Sequence, residues 1–175
     1  MKGFHRLPVG EGEVMPAHRP YFPALPSYYR DVEFLLVYFH ADPAVVREHL
    51  PEPIEADPEG LAVAFSINVP FCTSYGPFHE AGISLKCSFR GETGFFNTHL
   101  YLDNPAAICS GRERWGAPKE YARVDVGMAG NLMRCQVVKD GVAISNGISK
   151  ISFGLNQAYT DGVSATTSNK WEAVI

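Results

Sequence analysis

The sequence predicts a mainly β domain of the α+β class, with short helices inserted between the strands. Two observations lead to this prediction. Segments rich in β-branched and aromatic residues recur along the chain and are separated by turn residues. One of these turns, Asp140-Gly141, joins two such segments at the spacing of a tight hairpin. Helix signals occur at two places, and both segments are short.

Composition and charge narrow the class of protein. The chain has 175 residues, of which 46% are hydrophobic and 19% charged, and its formal net charge is -4. It is too apolar and too weakly charged for a disordered chain, and long enough for one domain with a sizeable core. Because nucleic-acid binding needs clustered Lys and Arg, we expect no nucleic-acid partner.

The lack of a secretory signal in residues 1–20 and the pattern of cysteines predict a cytoplasmic location. Residues 1–20 lack the apolar run of a secretory signal, and no stretch approaches the roughly 20 apolar residues that cross a membrane. The cysteines Cys72, Cys87, Cys109 and Cys135 form no C-x-x-C pair. We therefore expect reduced, mostly buried thiols, no membrane association and no zinc site.

Three regions are expected along the chain. Residues 1–30 are rich in proline and aromatic residues and predict an extended N-terminal arm. Residues 31–155 predict the β domain, and residues 156–175 turn polar and predict a C-terminal tail or a truncated remainder. Strands are expected at 31–40, 61–69, 83–90, 95–102, 119–126, 132–138 and 142–153.

Two dipeptides mark helix starts. Asp-Pro at 42–43 and Asn-Pro at 104–105 each combine a side chain that can cap a first turn with a proline that fits the first helical position. They predict helices over 44–50 and 106–115, the second of which ends at Gly116.

Lys119 is the residue with the most unusual setting. It follows Trp-Gly-Ala-Pro at 115–118, an apolar and rigid approach to a strand. A lysine at a strand start is ordinarily a surface residue. The alternative is an amine nucleophile that forms a Schiff base, because desolvation disfavours the ammonium form and leaves free amine near neutral pH.

The segment around this lysine resembles the acetoacetate decarboxylase family. The similarity is strongest in the run Gly-Arg-Glu at 111–113 and Trp-Gly-x-Pro-Lys at 115–119, and it extends over about residues 22–126. The resemblance implies an antiparallel closed sheet, a β-cone barrel around an apolar cavity, usually in oligomers. It also implies that Lys119 forms the imine and that Glu80 moves protons or orients the substrate.

Two positions depart from the family's pattern. Family decarboxylases place a second lysine after the imine former, and Glu120 stands here instead. Because neighbouring side chains of a strand point to opposite faces, Glu120 need not contact Lys119. The family's substrate-binding arginine falls on Val32, and Arg30, two residues earlier, would share the strand face of Val32 as a candidate carboxylate clamp.

Further residues complete the candidate site. Arg112 is a second candidate for holding a carboxylate, or a structural ion pair with a nearby glutamate. Phe78 and Trp115 are expected to line the substrate pocket, together with the apolar residues Phe34, Phe65 and Ile108. His79 and His99 are possible acid–base groups, although a packed or surface histidine is the commoner case.

The resemblance implies covalent amine catalysis on a small keto acid, without a cofactor. The leading hypothesis is a lyase that decarboxylates a β-keto acid such as acetoacetate. The missing second lysine favours an alternative, a Schiff-base aldolase-dehydratase on pyruvate-like substrates. A hypothesis of another class is a non-catalytic small-molecule-binding β-barrel. Because family members are typically longer, we expect either a shortened cone whose strand edges pair in a homo-oligomer or a truncated product.

Overall fold

A computed structural model describes residues 21–130, 132–150, 158–160 and 163–174. These residues form twelve strands and two helices, so the mainly β prediction is confirmed. The helices are α1 (Pro43–Glu48) and α2 (Pro105–Trp115). The strands are β1 (Tyr28–His40), β2 (Glu55–Ala56), β3 (Leu61–Val69), β4 (Phe71–Cys72), β5 (Phe78–Phe89), β6 (Glu92–Leu102), β7 (Lys119–Tyr121), β8 (Arg123–Ala129), β9 (Leu132–Lys139), β10 (Val142–Lys150), β11 (Ala158–Thr160) and β12 (Val163–Val174).

The strands form two sheets. The larger has the order β11-β12-β1-β3-β5-β6-β7, and β2 and β4 pair with β5 and β1 beside this path. The smaller has the order β10-β9-β8. Neighbouring strands are antiparallel except β6 and β7, which are parallel and joined through α2. In the described part of the chain the larger sheet is open between β11 and β7, where the resemblance implied a closed one.

The C-terminal region, predicted as a polar tail or a truncated remainder, contains two strands. Within residues 156–175, the described segments are β11 and β12, and β12 pairs along β1 from Tyr28 to Tyr38. The segment is polar, but its threonines and valines suit a strand. Pairing with β12 also covers an edge of β1 that would otherwise present unpaired backbone groups.

The first strand begins earlier than the predicted boundary at residue 31, and it contains an irregularity. β1 starts at Tyr28, three residues inside the predicted arm, and residues 1–20 of that arm lie outside the described residues. The register against β12 shifts between Tyr29 and Val32, and Asp31 between them has a φ of 56°. A left-handed residue inside a strand breaks the alternation of side chains, so the faces change there.

Both helices begin as the sequence predicts. Asp42 accepts a hydrogen bond from the Ala44 N–H at 2.8 Å, and Asn104 accepts one from the Ala107 N–H at 3.1 Å. Each helix has proline in its first turn. α2 ends at Gly116, whose φ of 65° is the left-handed conformation that favours glycine. The cap at Gly116 ends α2 shortly before β7 begins at Lys119.

Apolar clusters cover both faces of the larger sheet. One cluster joins it to the smaller sheet through Leu35, Val126 and Val137, and another lies towards α2 around Val32, Leu102 and Ala107. The cysteines are free, and all but Cys109 are buried. Within the described ranges, no helix combines the length and apolar character needed to cross a membrane.

Candidate active site

Lys119 and Glu80 meet on the α2 side of the larger sheet. The Lys119 Nζ donates to Glu80 Oε2 at 3.2 Å, and the two side chains are 17% and 12% exposed. Strand register produces this contact. Glu80 of β5 lies opposite Leu102 of β6, and Lys119 of β7 lies opposite Leu100 of the same strand. Leu100 and Leu102 are two residues apart on β6, so their side chains share a face. Lys119 and Glu80, which lie opposite them on the neighbouring strands, are therefore on the same side of the sheet.

Gly111 makes room for the lysine side chain. A Cβ atom at residue 111 would lie 2.5 Å from Lys119 Cε, closer still to Cδ, and 3.3 Å from Nζ. Real Cβ atoms do not approach other atoms that closely, so any other residue at 111 would force the Lys119 side chain to shift. The middle of α2 therefore forms one wall of a slot through which Lys119 reaches Glu80.

Arg112 holds the backbone at the start of β7. Its Nη1 donates to the Lys119 carbonyl oxygen at 2.9 Å, while the side chain is exposed. The Ala117 N–H donates to the Gly111 carbonyl oxygen at 3.0 Å. These bonds tie β7 to the C-terminal turns of α2, so Arg112 positions Lys119 from outside the cavity.

The Lys119–Glu80 ion pair lies at the wall of a cavity of about 640 Å³. Phe78, at 6% exposure, and Trp115, at 68%, both line it, and their part in substrate binding stays a prediction. Among the described residues that line this cavity, Lys119 and Glu80 are the only charged ones. Most of the remaining wall is aliphatic or aromatic, so the paired charges face an apolar space.

Four polar, uncharged side chains also line the cavity: Ser27, Tyr29, Tyr75 and Ser110. The hydroxyl groups of Tyr75 and Ser110 lie 2.8 Å apart and join the loop before β5 to α2. The phenol of Tyr29 also lines the cavity, and burial raises the pKa of this phenol well above its usual range. Tyr29 is therefore a neutral hydrogen-bond donor near neutral pH.

A comparison with protein families identifies the family of the chain. The family model described as acetoacetate decarboxylase (ADC) matches residues 14–161, which is most of the chain. The chain belongs to the acetoacetate decarboxylase family.

Curated relatives are similar over part of their length. Acetoacetate decarboxylase 1 of Bradyrhizobium diazoefficiens is 37% identical over 109 residues, which are 62% of this chain and 43% of the relative. Acetoacetate decarboxylase of Chromobacterium violaceum is 33% identical over 106 residues, 61% of this chain and 43% of the relative. The chain thus matches less than half the length of these relatives.

Solved structures share the fold. A crystal structure of acetoacetate decarboxylase from Legionella pneumophila is 25% identical with a TM-score of 0.72, covering 83% of this chain and 61% of that one. The enduracididine biosynthesis enzyme MppR complexed with pyruvate has a TM-score of 0.71 at 19% identity, covering 85% and 66%. At that identity, the likeness to MppR shows the fold alone.

Arg30 does not lie where the family's arginine was expected. Tyr29 and Val32 both line the cavity, because the left-handed Asp31 interrupts the alternation between them. Arg30 is exposed instead, and its guanidinium lies 3.9 Å from the ring centre of Phe71. The expectation that Arg30 and Val32 share a face is wrong. Arg112 does not line the cavity either, so neither arginine reaches it.

Glu120, at the position of the family's second lysine, points away from Lys119. Its carboxylate pairs with the Nζ of Lys139, and Lys139 lowers the pKa of Glu120 through this hydrogen bond. Lys119 lines the cavity on the other side of β7. Lys119 and Glu120 therefore point to opposite sides of β7, as expected for neighbouring residues of a strand, and the carboxylate of Glu120 does not contact the amine of Lys119.

The remaining candidates lie around the cavity or outside it. The Nδ1 of His79 lies 2.7 Å from Asp103 Oδ2, which makes it a structural partner of the loop before α2. His99 lines a second cavity on the opposite face of the larger sheet. Phe65 borders that cavity as well, but its side chain packs against the apolar cluster towards α2. Ile108 packs in the apolar cluster beneath α2. Of the predicted apolar wall, Phe34 lines the first cavity beside Phe78 and Trp115.

Sequence reasoning missed two features of the site. Gly111 was noted as part of the family's motif but given no role, although a glycine inside a helix is a signal for close packing. Tyr29 was assigned to the extended arm. Its burial depends on the irregularity at Asp31, and no local pattern announces a left-handed aspartate.

Proposed function

We propose that this protein is a Schiff-base-forming lyase that decarboxylates a β-keto acid through an iminium on Lys119. One observation carries the proposal. The Lys119 amine lies 3.2 Å from a carboxylate, at the wall of a largely apolar cavity that can hold a small acid. Family membership supports it, because the curated relatives are acetoacetate decarboxylases.

The first steps use the ion pair as it stands. Glu80 is within proton-transfer distance of Nζ and takes a proton from the Lys119 ammonium, which frees the amine. The amine attacks the keto carbon, and one proton passes from its nitrogen to the former carbonyl oxygen, which gives a neutral carbinolamine. Glu80 then returns its proton to the departing hydroxyl group, which leaves as water, and a protonated imine remains on Lys119.

Loss of carbon dioxide follows from the charge on this imine. The bond between the carboxyl carbon and its neighbour breaks, and its electron pair moves into the iminium to give a neutral enamine. The enamine carbon takes up a proton from solvent, and water then hydrolyses the iminium to release the ketone and restore the Lys119 ammonium. An apolar cavity favours the bond cleavage, because the reacting carboxylate is poorly solvated there and its charge disappears as the bond breaks.

A second candidate function rests on the departure at Glu120. Without a second lysine beside Lys119, an aldolase-dehydratase that forms the same imine with a pyruvate-like acid and adds its enamine to an aldehyde is the alternative. Both functions need Lys119 and Glu80. They differ in whether carbon dioxide is released.

Borohydride trapping tests the proposal. The protein is incubated with acetoacetate or with pyruvate, reduced, and mapped by mass spectrometry, while carbon dioxide release is measured in parallel. We expect an adduct at Lys119 and carbon dioxide from acetoacetate. An adduct without carbon dioxide release would favour the aldolase-dehydratase. No adduct at Lys119 would contradict both and leave a non-catalytic binding protein.

A matched pair of lysine variants controls the assignment. Lys119→Ala is expected to abolish labelling, whereas Lys139→Ala, which loses an amine on the other side of β7, is expected to retain it. Labelling that persists in Lys119→Ala would place the imine on another lysine. Cytoplasmic location and a homo-oligomeric state accompany this proposal as predictions, and size-exclusion chromatography with light scattering tests the second.

A further inference from the structure

The floor of the cavity extends from the ion pair across the sheet. Glu80 of β5 lies opposite Ile67 of β3, and Ile67 lies opposite Phe34 of β1. All three side chains line the cavity. Since neighbouring strands are about 4.8 Å apart, the apolar floor continues for roughly 10 Å beyond the carboxylate.

A second row parallel to the first has the same character. Phe78 of β5 lies opposite Val69 of β3, and both line the cavity together with Val32 of β1. Leu36 of β1 also lines the cavity, on the other side of Phe34. The irregularity at Asp31 keeps Arg30 off this floor. The charged groups that line the cavity in the described part of the chain are thus confined to one end, at Lys119 and Glu80.

The size of the cavity is larger than acetoacetate needs. About 640 Å³ lies within the range of pockets that enclose drug-sized molecules, whereas acetoacetate carries only a methyl group beyond its keto carbon. A short acid bound to Lys119 would leave the floor at Ile67 and Phe34 uncovered. A longer apolar substituent would cover it and gain the free energy of removing both surfaces from water.

We propose that the preferred substrate is a β-keto acid with an extended apolar chain on its keto carbon. Its keto carbon reaches the Lys119 amine, and its chain crosses β3 over Ile67 to end against Phe34 and Leu36. This inference rests on the proposed function, because it assumes that Lys119 binds the keto group. It adds the class of substrate to that function.

A chain-length series tests the substrate class. The protein is assayed with 3-oxobutanoate, 3-oxohexanoate and 3-oxooctanoate, with kcat/KM for carbon dioxide release measured for each and borohydride trapping run alongside. We expect kcat/KM to rise by about fourfold per added methylene while the floor is being covered, which is the gain from one buried methylene group.

A pair of variants on adjacent residues locates the chain. Leu36→Trp narrows the far end of the cavity and is expected to lower the preference for 3-oxooctanoate over 3-oxobutanoate by about tenfold. Val37→Trp places the same bulk on the opposite face of β1, in the second cavity, and is expected to leave this preference unchanged. Thermal melts of both variants establish that they fold.

The outcomes distinguish a failure of the proposed substrate class from a failure of the proposed function. Trapping at Lys119 with kcat/KM that is flat or falls with chain length would overturn the substrate class and leave the decarboxylase intact. No trapping with any of the three acids would overturn the proposed function and the substrate class with it. If either tryptophan variant fails to fold, the series with the unmodified protein decides the question.

Discussion

The two faces of the larger sheet carry cavities of nearly equal size but different chemistry. The cavity towards α2 has a volume of about 640 Å³ and the one between the two sheets about 610 Å³. The first is lined by the Lys119–Glu80 pair. In the described residues, no Asp, Glu, Lys or Arg lines the second. Size therefore does not distinguish the candidate site from a gap in packing, whereas a paired amine and carboxylate does.

The largest expected effect comes from removing the carboxylate that distinguishes the two faces. Glu80→Gln keeps the size of the side chain but cannot accept the Lys119 proton. We expect kcat for carbon dioxide release to fall about a hundredfold to ten-thousandfold, the range for loss of a general acid–base group.

The control for this change is Glu113→Gln, which neutralises an exposed glutamate on α2 outside the cavity. It should keep full activity, and its pH–rate profile should match that of the parent. An unchanged kcat in Glu80→Gln would show that this carboxylate takes no part in proton transfer.

The second largest effect is expected from closing the slot for the lysine. In Gly111→Ala the new methyl group would collide with the Lys119 side chain, so the amine must move. Misplacement of a reacting group by about 1 Å can cost about a hundredfold in rate, and we expect a loss of that order in trapping rate. Gly94→Ala is the matched control, because nothing lies within 4 Å of a Cβ at residue 94.

A smaller effect, on stability rather than activity, is expected at a second ion pair, which differs from the Lys119–Glu80 pair in lying away from the cavity. Asp57 pairs with Lys86 at 2.9 Å, and its carboxylate also accepts hydrogen bonds from the Glu59 and Leu61 N–H groups. Neither member of the pair lines a cavity described above. Asp57→Asn is expected to lower the free energy of unfolding by about 2 kcal/mol, because hydrogen bonds to a charged group are lost.

The pH dependence gives this prediction a second measurement. Lys86 lowers the pKa of Asp57 below its usual value of 3.8 in the folded state. The stability from this shift is fully present above that value and is lost as the pH falls through the lowered pKa. Urea unfolding at neutral and acid pH should show a smaller acid loss in Asp57→Asn, whose trapping per folded molecule should equal that of the parent. Reduced trapping would link Asp57 to the site.

The smallest effect is expected at the position where the family's second lysine is missing. Glu120 and Lys139 pair outside the cavity, with side chains 51% and 32% exposed. Exposed pairs contribute up to about 1 kcal/mol, so Glu120→Gln should change the free energy of unfolding by no more than that. The trapping rate at Lys119 should stay the same. A marked change in trapping would show that Glu120 influences the amine from the other side of β7.

Sequence alone predicted the part of the site that depends on local signals. The helix caps at Asp42 and Asn104 and the opposite directions of Lys119 and Glu120 follow from short-range rules, and the structure has them. The motif also singled out Lys119 and Glu80, which the structure brings into contact. Their catalytic roles remain predictions.

What the sequence could not predict depends on long-range packing. Arg30 was expected on the cavity face because strand alternation was assumed to continue through Asp31, which instead adopts a left-handed conformation. The pairing of β12 with β1 joins residues more than a hundred positions apart, and the polar composition of β12 gave no sign of this pairing. Such pairings are specified by the partner strand as much as by the segment itself.

The irregularity at Asp31 has an evolutionary consequence. With regular alternation through this residue, Arg30 would face the same side as Val32 and would bring a cation to the cavity wall. The backbone conformation of one residue therefore decides whether this pocket offers an arginine to a substrate carboxylate. Relatives could gain or lose such a contact through a change in the irregularity at this position, without a change in the identity of any residue that lines the cavity. Alignments that compare residue identities alone would overlook this route to new specificity.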